Sequence, residues 1–83
     1  MKEHKTVHVK YFALLREQAG LSKETVTTDA TTLKELYQEL SMKYHFSLDI
    51  SLVRASLNAQ YQNIEMFLAE GDEIVFIPPV AGG

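Results

Sequence analysis

Thr32-Leu33-Lys34-Glu35-Leu36-Tyr37-Gln38-Glu39-Leu40-Ser41-Met42-Lys43-Tyr44 is the one long helical pattern in a chain of 83 residues. Leu33, Leu36, Tyr37, Leu40 and Tyr44 recur at helical spacing and make a single apolar stripe, with Lys34, Glu35, Gln38, Glu39 and Lys43 opposite. Thr32 and Glu35 have the spacing of a capping box, which puts the N-cap at Thr32. A helix with one apolar stripe must lay it against another element. The segments on either side read as strands, so the stripe is expected to face a sheet.

Toward the N-terminus, Thr6 to Phe12 alternates, with Val7, Val9 and Tyr11 on one face and His8, Lys10 and Phe12 on the other. Phe12 puts a phenyl ring on the otherwise polar face and is read as part of a contact surface. Ala13 to Ala19 is a short helix with Gly20 as its left-handed cap. The β-branched run Lys23 to Thr28 returns beside the first strand as an edge strand.

Toward the C-terminus, Leu48 and Ile50 are expected to tuck beneath an irregular stretch. A third strand follows from Val53 to Asn58, with Val53, Ala55 and Leu57 inward and Arg54, Ser56 and Asn58 outward. Tyr61-Gln62 reads as a short strand, followed by a loop that buries Phe67 or Leu68. Glu70-Gly71-Asp72 is a turn of solvated charges, and Glu73 to Ile77 is the last strand, with Ile74 and Phe76 inward and Val75 and Ile77 outward. Strands, one long helix and more strands define an α+β domain over residues 1–77, with the helix on one sheet face, as in ubiquitin-like folds. Phe12, Val75 and Ile77, joined by Tyr61, then form an apolar patch on the outer face.

Beyond the domain, residues 78–83 read Pro78-Pro79-Val80-Ala81-Gly82-Gly83. Two prolines end the β-ladder for want of N–H groups and set an extended exit. Two glycines make a thread barely wider than backbone, suited to a narrow tunnel. The α-carboxylate of Gly83 is an uncrowded acyl group that an enzyme could activate. Paired terminal glycines also arise by chance in about one chain in two hundred, and it is the prolines and the strand before them that favour a functional tail.

Composition narrows the function classes. A net charge of −3 with scattered basic residues offers no positive face for nucleic acid. No apolar run approaches membrane-spanning length and no leader pattern opens the chain, so a soluble, cytoplasmic protein is expected. With no cysteine there is no disulfide, thiolate metal site or cysteine nucleophile. His4 and His8 lie in an extended segment without a third ligand, and no metal site is expected. The body carries no recognisable catalytic machinery.

Val9-Lys10-Tyr11-Phe12-Ala13-Leu14-Leu15-Arg16-Glu17, Ala55-Ser56-Leu57-Asn58 and the run from Glu70-Gly71-Asp72 to Gly82-Gly83 resemble the molybdopterin synthase small subunits, a family of ubiquitin-like sulfur carriers. The likeness covers nearly the whole chain. Its most specific part joins Gly71-Asp72-Glu73 to Pro78-Pro79-Val80 and Gly82-Gly83; Gly-Gly alone is shared with ubiquitin and the thiamine-pathway carrier. The resemblance implies a β-grasp fold with a mixed sheet and an extended C-terminal tail. It implies that Gly83 is adenylated by an ATP- and Mg-using adenylyltransferase resembling ubiquitin-activating enzymes, then converted to a thiocarboxylate with sulfur from a donor enzyme. The large, catalytic subunit would then take the tail, and cyclic pyranopterin monophosphate would receive the sulfur in molybdenum cofactor biosynthesis. Two small subunits would flank a dimer of large ones.

By position, the resemblance makes Gly83 the sulfur-bearing residue and Gly82 its tunnel neighbour, with Pro78, Pro79, Val80 and Ala81 as the rest of the tail. Phe12, Tyr61 and Ile77 match apolar interface positions, and Arg16 matches a family arginine near them. Tyr61 is bulkier and more polar than the aliphatic residue common there, and Ala81 stands where relatives often carry a hydroxyl. Such a chain is not an enzyme on its own and holds no stable cofactor. A carrier for another sulfur pathway, such as thiamine synthesis or tRNA thiolation, a ubiquitin-like protein modifier, and a plain binding module remain open on the residues alone.

Overall fold

The computed structural model describes residues 4–79. In chain order the elements are β1 (Lys5–Tyr11), α1 (Ala13–Ala19), β2 (Lys23–Thr28), α2 (Leu33–Tyr44), a 3-10 turn (Ile50–Leu52), β3 (Arg54–Leu57), β4 (Gln60–Gln62) and β5 (Glu73–Ile77). They form a five-stranded sheet in the order β2-β1-β5-β3-β4. β1 and β5 run parallel at its centre, and the other neighbours are antiparallel. This is the mixed sheet with one main helix of the β-grasp, ubiquitin-like fold, and the first and last strands are its middle pair.

α2 forms where its stripe and cap require. The Thr32 hydroxyl accepts from the Glu35 N–H at 3.2 Å. The return bond of the box lands one residue early, because Glu35 accepts from the Thr31 N–H at 2.7 Å. The N–H groups of Leu33 and Lys34 donate to the carbonyls of Met66 and Ile64 at 3.1 and 2.8 Å, so the 63–68 loop satisfies the helix start that would otherwise be orphaned. At the other end His45 takes φ +58° and stops the helix.

Val7, Val9, Tyr11, Ile74, Phe76 and Ala55 on the sheet meet Leu33, Leu36, Tyr37 and Leu40 of α2 in one buried cluster. Phe46, just past the helix, joins them: its ring centroid lies 5.5 Å from Tyr37 and 5.8 Å from Tyr11. Such pairs add to the burial of the rings. Leu68 is buried and Phe67 is exposed, while Leu48 and Ile50 pack against the cluster.

On the inner face, Glu24 collects two tyrosines. The Tyr11 hydroxyl donates to it at 2.6 Å and the Tyr44 hydroxyl at 2.7 and 2.9 Å. Burial, and then the Glu24 carboxylate, push the Tyr11 hydroxyl far above its ordinary pKa of 10.0. The same causes raise Tyr44.

Three expectations change. Phe12 is not the end of the first strand: its carbonyl accepts the N–H groups of Leu15 and Arg16, so it is the residue from which α1 starts. Ser56 points outward yet is buried, a small side chain in register between Val75 and Tyr61. The 70–73 charges are not simply solvated. Glu70 accepts from the Thr6 N–H, and Asp72 accepts from the Ala69 N–H and the Asn58 side chain, tying the turn before β5 to β1 and to the β3–β4 turn.

Candidate functional site

The end of β5 brings an apolar hollow together. It encloses about 530 Å³ and is lined by Phe12, Ala13, Leu14, Leu48, Ile77, Pro78 and Pro79. Three separate stretches of sequence build it, and each is held for its own reason.

At the β1–α1 junction, Phe12 is extended at φ −129° and ψ 154°, and Ala13 follows at φ +49°. A left-handed alanine is strained. It makes the sharp turn that lets both Phe12 and Leu14 line the hollow, with Phe12 48% and Leu14 38% exposed. Leu15, one residue on, is fully buried and fixes α1 to the body.

Leu48 arrives from the stretch after α2. Its carbonyl accepts the Tyr37 hydroxyl at 2.8 Å, which pins the backbone where the side chain reaches the hollow. Burial, with Asp49 nearby, pushes the Tyr37 hydroxyl up to about 12.

On β5, parallel pairing with β1 and antiparallel pairing with β3 hold Ile77 opposite Arg54. Pro78 is buried and Pro79 is exposed. The body therefore grips the first proline and releases the second.

A second hollow of about 520 Å³ shares Pro79 and is lined by Ile50, Leu52, Arg54 and Tyr61 among others. Tyr61 is 71% exposed. The expected patch thus divides: Phe12 and Ile77 share one hollow, and Tyr61 lines its neighbour across Pro79. Val75 lies on the outer face in register between Lys10 and Ser56, and Arg16 is exposed on α1; neither lines either of these two hollows. Leu14 and Leu48 are additions that strand alternation cannot reveal. Val80, Ala81, Gly82 and Gly83 lie outside the described residues.

Among the described residues there is no group of His, Cys, Asp or Glu side chains that could hold a metal ion, and no helix is long and apolar enough to cross a membrane. What the arrangement offers is an apolar footing around the point where the chain leaves the body.

The sequence pattern of the ThiS family matches residues 9–83. The chain is 31% identical over 80 residues to the molybdopterin synthase sulfur carrier subunit of Escherichia coli, which covers 93% of this chain and 99% of that protein. Among solved structures, it resembles a chain in the complex of subunits 1 and 2 of the molybdopterin-converting factor from Helicobacter pylori. That match has 30% identity and a TM-score of 0.61, over 94% of this chain and 99% of the other. It also resembles small archaeal modifier protein 1 of Methanosarcina acetivorans, at 25% identity and TM-score 0.76, over 98% and 99% of the two chains.

Proposed function

This chain belongs to the ThiS family, and from that membership we propose that it is the sulfur-carrier subunit of a molybdopterin synthase. The observation that carries the reading is the near full-length likeness to sulfur carrier subunits, in a family match that runs through Gly83. The hollow at the root of the tail supports it, since a carrier must be held by the body while its end is handled elsewhere.

The chemistry assigned to Gly83 follows from its carboxyl group. A carboxylate is a poor electrophile; attack of its oxygen on the α-phosphorus of ATP expels pyrophosphate and gives an acyl-adenylate with a good leaving group. A persulfide sulfur of the donor enzyme then bonds to the acyl carbon and AMP leaves. A second thiol of the donor enzyme attacks that enzyme's sulfur in the remaining S–S bond, which leaves a disulfide on the donor and frees the thiocarboxylate. ATP and Mg are used by the activating enzyme, and the carrier holds neither. The large subunit then takes the tail, and the sulfur passes to cyclic pyranopterin monophosphate. Phe12, Leu14, Leu48 and Ile77 serve as the footing on which that subunit rests.

The likeness to an archaeal modifier protein favours one second reading, in which the same activated carboxyl is joined to lysines of other proteins. Intact mass after purification from cells that hold the activating and sulfur-donating enzymes separates the two. A gain of about 16 Da localised to the C-terminal peptide is expected, distinct from oxidation of one of the three methionines. An unmodified Gly83, or one found in isopeptide linkage, would overturn the carrier reading.

A further inference from the structure

Charge is distributed unevenly on the sheet face turned away from α2. One register row crosses it as Lys23, Lys10, Val75, Ser56 and Tyr61, and toward the tail Ile77 pairs with Arg54. Lys10, Lys23 and Arg54 are all exposed. The acids of this face start on the far side of that row, where Glu73, just after the 70–72 turn, pairs with His8. Among the described residues the one ion pair joins Lys43 and Glu24, on the helix side. A chain of net charge −3 therefore keeps its tail end positive on this face. Arg54 stands opposite Ile77 and lines the hollow that Tyr61 and Pro79 share.

We propose that Arg54 pairs with a carboxylate of the large subunit, whose surface around the tail entrance is acidic where it meets β3 and β1. This rests on the reading of the chain as a carrier that the large subunit engages. Three observations favour an acidic protein surface. Arg54 lines a hollow that sets Ile50, Leu52 and Tyr61 beside Ser51, Gln62 and Asn63, a mixed surface that a protein interface fills and a phosphate backbone does not. No carboxylate of the described chain neutralises Arg54. A guanidinium presents a planar fork of donors that matches a carboxylate at two points. Lys10 and Lys23 add to the field that steers the approach.

The test measures association of the chain with the purified large subunit across a range of salt. Arg54→Glu is compared with Lys34→Glu, which makes the same change in net charge on α2, on the helix side of the domain. Circular dichroism checks that both variants fold. Arg54→Glu is expected to slow association at low salt by about tenfold and to flatten its salt dependence, while Lys34→Glu changes it by less than about twofold. Arg54→Lys is expected to fall between Arg54→Glu and the native chain. Equal effects of the two glutamate variants, or none from Arg54→Glu, would overturn the proposal. A native chain that forms no complex would instead remove the carrier reading beneath it.

Discussion

Phe12 and Ile77 come from opposite ends of the folded chain and line one hollow, because β1 and β5 are parallel neighbours and both end at the same edge of the sheet. Phe12→Asp or Ile77→Asp should weaken association with the large subunit by about 2 kcal/mol, roughly thirtyfold in Kd, with the fold intact. Titration calorimetry checks this. Unchanged affinity in both variants would move the interface elsewhere.

Glu24 accepts two tyrosine hydroxyls on the inner face. Glu24→Ala leaves both without that acceptor and should lower stability by about 2 kcal/mol. Glu24→Gln keeps one acceptor oxygen and should cost about half as much. Urea unfolding followed by circular dichroism reads the difference, and a neutral Glu24→Ala would mean that water replaces the carboxylate freely.

Alkaline pH should unfold the protein through these same tyrosines. Tyr11, Tyr44 and Tyr37 are raised above the ordinary 10.0, Tyr37 to about 12. A group raised on folding binds its proton more tightly when folded. Its contribution is complete below pH 10 and is lost as pH climbs through the folded value. Stability should therefore decline from about pH 10 upward, and Tyr11→Phe should shrink that decline. Thermal melts at closely spaced pH values show whether it does.

The β3–β4 turn is a two-residue hairpin with Asn58 at φ +52° and Ala59 at φ +73°. Both central residues of such a turn need positive φ, which Asn accepts and Ala resists. Ala59→Gly removes that strain but adds freedom to the unfolded chain, for a net gain of about 0.5 kcal/mol. A lower melting temperature in this variant would contradict the turn geometry.

The parts of this structure that were legible in the sequence are those written locally. The stripe of α2, the Thr32 cap, the Gly20 cap and the alternation of Ile74 and Phe76 need only their own few residues to be read. Phe46 carried no such signal, since one aromatic after a helix has no period; its burial depends on Tyr11 and Tyr37 arriving from elsewhere. Asp72 looked like a solvated charge because its distant partner, the Asn58 side chain, reaches it only once β3 and β5 are paired. In the candidate site, Phe12 and Ile77 stood out as apolar side chains on polar-facing positions. Leu14 did not, because its exposure depends on the left-handed turn at Ala13, which alanine does not advertise.

Burial of Pro78 turns the exit of the chain into a ruler. With that proline fixed in the body, five residues, Pro79 to Gly83, lie between it and the carboxyl carbon of Gly83. Fully extended they span at most about 18 Å. Any catalytic centre that works on Gly83 must lie within that depth of the surface resting on Phe12 and Ile77. On the proposed carrier reading, inserting one residue after Pro79 would carry the Gly83 carboxyl carbon up to about 3.5 Å past its station, whatever the affinity of the docked faces.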